Sequence, residues 1–160
     1  MINLDVLPLD VLTLSGALLI AVGVDDGQFV LDNVTVMGKL FVRGGGENSI
    51  IIRGNSRISR MSVSRQEGLV RVSVEGNAQM DTLTVNDRAQ GVKIEGTVTD
   101  VQVTGSDADV EITGTVQNIH VAPEATGTCI PITTEARVDA VSHVGPEVHL
   151  TPHATSATGT

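Results

Sequence analysis

The chain has 160 residues, 41% of them hydrophobic, only 18% charged, with two Phe, no Trp or Tyr, 17 Gly, 5 Pro and a net charge of −9. That length fits one domain with a substantial core. The acidic balance excludes general nucleic-acid binding, which needs many Lys and Arg contacts to phosphate, and the single Cys129 excludes an internal disulfide framework.

The first apolar stretch, Leu12 to Val24, is broken by Ser15, Gly16 and Gly23 and is preceded by Asp5 and Asp10 rather than by a basic region. It is too short for a membrane span and lacks the flanks of a signal peptide. It superposes instead on the next segment: Val11-Leu-Thr-Leu-Ser-Gly-Ala-Leu-Leu-Ile20 matches Asn33-Val-Thr-Val-Met-Gly-Lys-Leu-Phe-Val42 at an offset of 22. This is the first rung of a repeat.

The repeat continues down the chain as four apolar columns. One runs Leu7, Phe29, Ile50, Val72, Val92, Val110, Ile130, and a second, two residues on, runs Leu9, Leu31, Ile52, Val74, Ile94, Ile112, Ile132. A third runs Leu18, Leu40, Met61, Leu83, Val101, Ile119, Val141, and a fourth Ile20, Val42, Val63, Val85, Val103, Val121, His143. Only His143 among these positions is polar. A period of about 20 residues marks a solenoid, whose repeats bury their apolar faces only by stacking. Alternation within each segment, as in Val70, Val72 and Val74 around Arg71 and Ser73, points to strands. Turn formers such as Arg43-Gly44-Gly45-Gly46 and Glu75-Gly76-Asn77 separate them.

The expected fold is therefore all-β: a single-stranded parallel β-helix of about seven coils of 18–22 residues, over residues 1–150. Coils start near 7, 29, 50, 72, 92, 110 and 130, with a partial coil at 148 and a flexible C-terminal tail over 151–160. Insertions are expected in turns rather than strands. Seven coils at about 4.8 Å each make a rod on the order of 35 Å long. Pro8 and Pro131 fall in one outward slot and read as protection of the two open edges, and Met1–Val6 reads as a short cap or a surface for self-association through the coil ends. At His143 the strand is expected to shift so that Val144 takes the core position.

The stretch Asp32-Asn-Val-Thr-Val-Met-Gly-Lys-Leu-Phe-Val-Arg-Gly-Gly-Gly-Glu-Asn-Ser-Ile-Ile-Ile52 resembles the β-helical repeat region of S-layer-associated cell-surface proteins of Firmicutes. The runs Gly68–Gly76, Ile94–Val103 and Ile112–Val121 are similar to later coils of that family, so the resemblance spans residues 7 to 145. It implies a right-handed parallel β-helix, an extracellular or cell-surface location and a structural role. It supplies no catalytic residues, and the chain departs from the family picture in lacking an attachment domain and a secretion signal.

Several side-chain groups are of types that carry chemistry. Thr13, Thr35, Ser62, Thr84 and Ser142 read as an outward hydroxyl ladder interrupted by Gln102 and His120, which β-propensity explains. The carboxylates Asp25, Asp26, Asp81, Asp87, Asp100, Asp107, Asp109 and Glu111 could supply glycosidase-like pairs, but no Trp or Tyr is present to stack a sugar ring. Gly105-Ser-Asp-Ala-Asp109 lacks calcium-loop spacing. His120, His143, His149 and His153 cluster late without a metal-binding pattern, and Cys129 has no flanking base to activate it. No cofactor, metal or catalytic residue is expected, and no enzymatic activity.

Charge is the one patterned surface feature. Residues 39 to 71 carry seven bases (Lys39, Arg43, Arg53, Arg57, Arg60, Arg65, Arg71) against Glu47 and Glu67, while the segments on either side are acidic. Arg43, Arg53, Arg57, Arg60, Arg65 and Arg71 are the candidate contacts for an anionic wall polymer or an acidic neighbouring surface protein. The expected function is a non-catalytic structural or spacer module. The alternative is a binding module for an anionic glycan or protein, and a polysaccharide-active β-helix enzyme comes third.

Overall fold

A computed structural model describes residues 12–21, 28–44, 46, 50–65, 68–86, 89, 91–143 and 148–151, the last four and His143 by their backbone alone. The expected cap at Met1–Val6, Leu7, Pro8, Leu9, Val144 and the tail beyond Thr151 lie outside these residues. Among the described residues every element is a strand, and every pairing is parallel.

Two sheets share the coil. The long sheet stacks β1 (Leu12–Leu14) and β2 (Leu18–Ile20) on β4 (Val34–Val42), then β6 (Arg57–Val63), β8 (Gln79–Val85), the second half of β9 (Val92–Val103), β11 (Thr115–Val121) and β13 (Arg137–His143). The short sheet stacks β3 (Val30–Asp32), β5 (Ile51–Arg53), β7 (Val70–Val74), the first half of β9 and β10 (Val110–Ile112). Single bridges, Asp109 to Cys129 and Ile112 to Ile132, join it to β12 (Thr128–Pro131), which pairs with β14 (Val148–Thr151). The fold is the β-solenoid expected, but it amounts to about five turns rather than seven coils. The long sheet alone has seven rungs; the first and last turns lie only partly within the described residues.

Among the described residues the apolar members of all four columns face inward, and their side chains form one continuous cluster. Leu31, Leu40, Val42, Ile50, Ile52, Met61, Val63, Leu83, Val85, Ile94, Val101, Val103 and Ile112 are fully buried. Of the described members, Leu18 and Phe29 in the first coils are the ones partly exposed. Burying one such side chain contributes about 1.5–3 kcal/mol, and stacking makes that gain depend on the neighbouring rungs. Val36, Ile58, Met80, Val98, Val116 and Val138 form a further buried column in the long sheet, and Ala89, Ala108 and Ala125, where the chain returns from the long sheet to the short one, add small groups to the core.

The register departs from the sequence alignment in one place. Val72 pairs with Ile94 and Val70 with Val92, so Val74 stands opposite Gly96, not Ile94. The two-residue displacement keeps every inward residue inward, because the strand period is two, and that parity hid it from the pattern of apolar residues. The cause is the corner between the sheets. Glu75–Ala78 loops out after β7, whereas β9 turns directly at Gly96, where φ is +85°. A Cβ there would overlap the Val74 carbonyl, and one at Gly114 would overlap Gly96 in turn. Only glycine allows rungs to approach this closely with a left-handed φ.

Three further expectations are corrected. One insertion lies within a strand: β4 carries Met37-Gly38 where β6 has Ser59 alone, a bulge between Val36 and Lys39. Its tight fit on the rung beneath is set by glycine, since a Cβ on Gly38 would overlap the Gly16 carbonyl. Pro131 does not guard a free edge, because it pairs with Thr151 of β14. At His143 no shift occurs; β13 keeps register through His143, opposite Val121.

Buried polar groups stitch rungs together. Ser56 accepts a hydrogen bond from the Val34 amide (3.0 Å) and its hydroxyl reaches the carbonyls of Arg53 (2.6 Å) and Leu31 (3.1 Å). Asn86 donates to Ser62 (2.7 Å) and Ser64 (2.8 Å) on the rung before it, and the Thr104 hydroxyl on the rung after it donates to the Asn86 side-chain oxygen Oδ1 (3.4 Å). These bonds satisfy polar atoms that burial would otherwise strand.

Candidate functional site

The strand assignments scatter the arginine band around the rod. Arg53 and Arg71 lie in the short sheet, Arg57 and Arg60 in the long sheet, and Arg43 and Arg65 just after β4 and β6. Partners use part of their donor capacity: Arg53 meets Asp32 at 2.9 Å, Arg57 donates to Gln79 at 2.6 Å, and Arg71 meets Glu95 at 2.7 Å. The sequence-predicted set is therefore brought together only in part. Exposed Arg60 stacks on Lys39 one rung away, and the Lys39 ammonium sits 5.0 Å from the Phe41 ring centre. Leu19 pairs with Phe41, and with Met37 it is among the exposed large apolar residues, so this end of the long sheet mixes cations with apolar groups.

A second place gathers chemistry that the sequence reading did not connect. The outer face of the short sheet holds a groove of about 600 Å³ lined by Leu69, Arg71, Gly91, Lys93, Glu95, Asp109, Glu111 and Pro131. Outward residues alternate along each strand, so Arg71 pairs with Lys93, and Lys93 with Glu111, on successive rungs. Glu95 joins the two cations, receiving Arg71 at 2.7 Å and Lys93 at 3.4 Å. Partial burial pushes the Glu95 carboxyl up, but hydrogen bonds and charge from Arg71 and Lys93 outweigh it and hold it below the ordinary carboxylate range. The pairs Lys93-x-Glu95 and Asp109-x-Glu111 carried the available signal, since a spacing of two puts both members on one face. What the sequence lacked was the register that stacks them.

The other candidates separate. Thr13 and Thr35 do not share a level with Ser62, because Thr35 pairs with Arg57, while Phe41, Ser62, Thr84, Gln102, His120 and Ser142 form a separate column in which Ser62 is buried. Asp81, Asp100 and Asp107 lie outside the groove, and Asp25, Asp26 and Asp87 lie outside the described residues. The Gly105 carbonyl accepts from Thr128 (3.3 Å), and the Asp107 amide donates to Thr126 (2.8 Å). His120 lies 2.9 Å from the Ser142 hydroxyl, Cys129 is exposed, and His153 is outside the described residues. No group of three or more His, Cys, Asp or Glu among the described residues is arranged to hold a metal ion. Among those residues no helix is long and apolar enough to cross a membrane.

Compared with known proteins, the chain matches no family profile, no curated protein and no solved structure.

Proposed function

We propose that this chain is a non-catalytic structural or spacer module of a bacterial cell-surface protein. The observation that carries the reading is the unbroken stack: seven long-sheet rungs keep parallel register from Leu12 to His143 around one apolar cluster. A rod held by nearest-neighbour contacts spans distance at constant cross-section, and coils can be added without redesigning the rest. The resemblance to repeats of S-layer-associated proteins is what supports a cell-surface location. Protease shaving of intact host cells, followed by detection of peptides from this chain, tests that location. A panel of polysaccharide hydrolase and lyase substrates tests the non-catalytic part, and turnover of any one of them would refute it.

A second reading, a binding module for an anionic glycan or protein partner, is favoured by exposed Arg60 stacked on half-buried Lys39 beside Phe41. If it holds, replacing Arg53, Arg57, Arg60 and Arg65 by Ser abolishes retention on a heparin column while circular dichroism is unchanged. Retention of the unmodified protein also weakens with salt, because exposed charges are screened over about 8 Å at physiological ionic strength. Identical elution of the two folded proteins would discard this reading.

A further inference from the structure

The groove on the short sheet has a shape and a charge pattern that a spacer does not require. Along one wall Gly91, whose φ is +69°, leaves a slot between Leu69 on the rung before and Asp109 on the rung after, and the Leu69 side chain occupies it. Leu69 closes over that slot: a Cβ on Gly91 would overlap the Leu69 side chain. Leu69 is 48% exposed and Pro131 lines the same groove, so both give apolar contact to whatever enters. A volume of about 600 Å³ falls within the range of small-molecule sites.

The polar groups are divided between the two ends. At one end Arg71 and Lys93 are fixed in place by a shared carboxylate, Glu95, which uses only part of their donor capacity: Arg71 presents Nε and one terminal nitrogen to it, and Lys93 one contact at 3.4 Å. Unspent N–H groups on pre-positioned cations favour an anion, above all a carboxylate. One rung further, about 4.8 Å along the axis, stand Glu111 and Asp109, two residues apart and on one face of β10 and its lead-in. Neither has an ion-pair partner among the described residues. A purely anionic ligand seated on Arg71 and Lys93 would face these two carboxylates, and a purely cationic one seated on Asp109 would face the two cations. A ligand with both charges satisfies both ends, and hydroxyl groups would donate to whichever carboxylate oxygens remain.

We propose that this groove is a binding site for a zwitterionic sugar, a small ring that carries both a carboxylate and an amine. The carboxylate lies against Arg71 and Lys93, the ammonium against Asp109 and Glu111, and the ring lies in the groove between these two ends. The site is independent of the spacer reading: a rod may be inert along its length and still hold one ligand, and the two fail separately.

The test is calorimetric titration of the full chain with muramic acid, which has both groups, against glucuronic acid, glucosamine and the ringless 5-aminopentanoate. Muramic acid is expected to bind at least tenfold more tightly than each of the other three. Lys93→Met and Glu111→Gln, both at outward positions, should each weaken it at least tenfold with an unchanged circular dichroism spectrum, while Arg60→Ser on the long sheet leaves it unaltered. Equal binding of glucuronic acid or of glucosamine would overturn the zwitterion requirement, and equal binding of 5-aminopentanoate would overturn the sugar. No heat with muramic acid at millimolar concentration, or full binding by both groove variants, would overturn the site itself.

Discussion

Replacing Val85 by aspartate puts a carboxylate at the centre of the stack. Val85 is fully buried, with Val63 on one side and Val103 on the other in the same column. The substitution forfeits about 1.5–3 kcal/mol of apolar burial and strands a polar group with no partner, a further cost on the order of several kcal/mol even when the carboxyl is protonated. Together these reach about 5 kcal/mol or more, comparable to the total stability of a typical domain. For a chain of this size each kcal/mol moves the melting temperature by roughly 2–4 °C, so a drop on the order of 10–20 °C is expected, or loss of cooperative melting as adjacent rungs open. The control is Gln102→Asp, an exposed outward position on the next rung that pairs with Thr84; it should melt within about 2 °C of the unmodified protein, as surface substitutions do. Thermal circular dichroism of the three proteins decides the matter. A Val85→Asp melting temperature close to that of the control would show that this column does not face the core.

Gly96→Ala must relieve an overlap with the Val74 carbonyl at a left-handed φ, whereas Gly76 has open space around its missing Cβ. Urea denaturation should therefore show Gly96→Ala costing several times the approximately 1 kcal/mol expected of Gly76→Ala. Ser56→Ala leaves the Val34 amide without its acceptor and should cost about 1–3 kcal/mol in the same assay. Glu95 is more acidic in the folded chain than its reference value of 4.5, so the unfolded state binds the proton more tightly. Its stabilising contribution is complete above that value and is lost as pH falls through the lower folded pKa. Urea midpoints measured between about pH 5 and pH 3 should fall more steeply for the unmodified protein than for Glu95→Gln; parallel curves would show that the contact with Arg71 and Lys93 adds nothing.

The fold was legible in the sequence because its driving force is periodic and local. Leu40, Val42, Met61 and Val63 recur at a fixed interval with an alternation of two, and no arrangement except parallel stacking buries all such columns at once. The sequence alone therefore determined the strands, their parallel pairing and the inward face of each. Register between rungs was a different matter. Shifting β9 by two residues against β7 leaves the inward set unchanged, so the pattern could not distinguish Ile94 over Val74 from Ile94 over Val72. The choice was made by the Glu75–Ala78 loop and the close approach at Gly96, which are steric facts of one corner. The same register decided which polar residues meet: Arg71, Lys93 and Glu111 are separated by 18 to 22 positions in the chain and become neighbours only when the rungs lock. It also dispersed the arginines, which look like one cluster in sequence, over both sheets and the turns between them. Apolar periodicity is a property of the chain and can be read from it; the meeting of outward side chains depends on how many residues each corner takes, and only the packed structure fixes that.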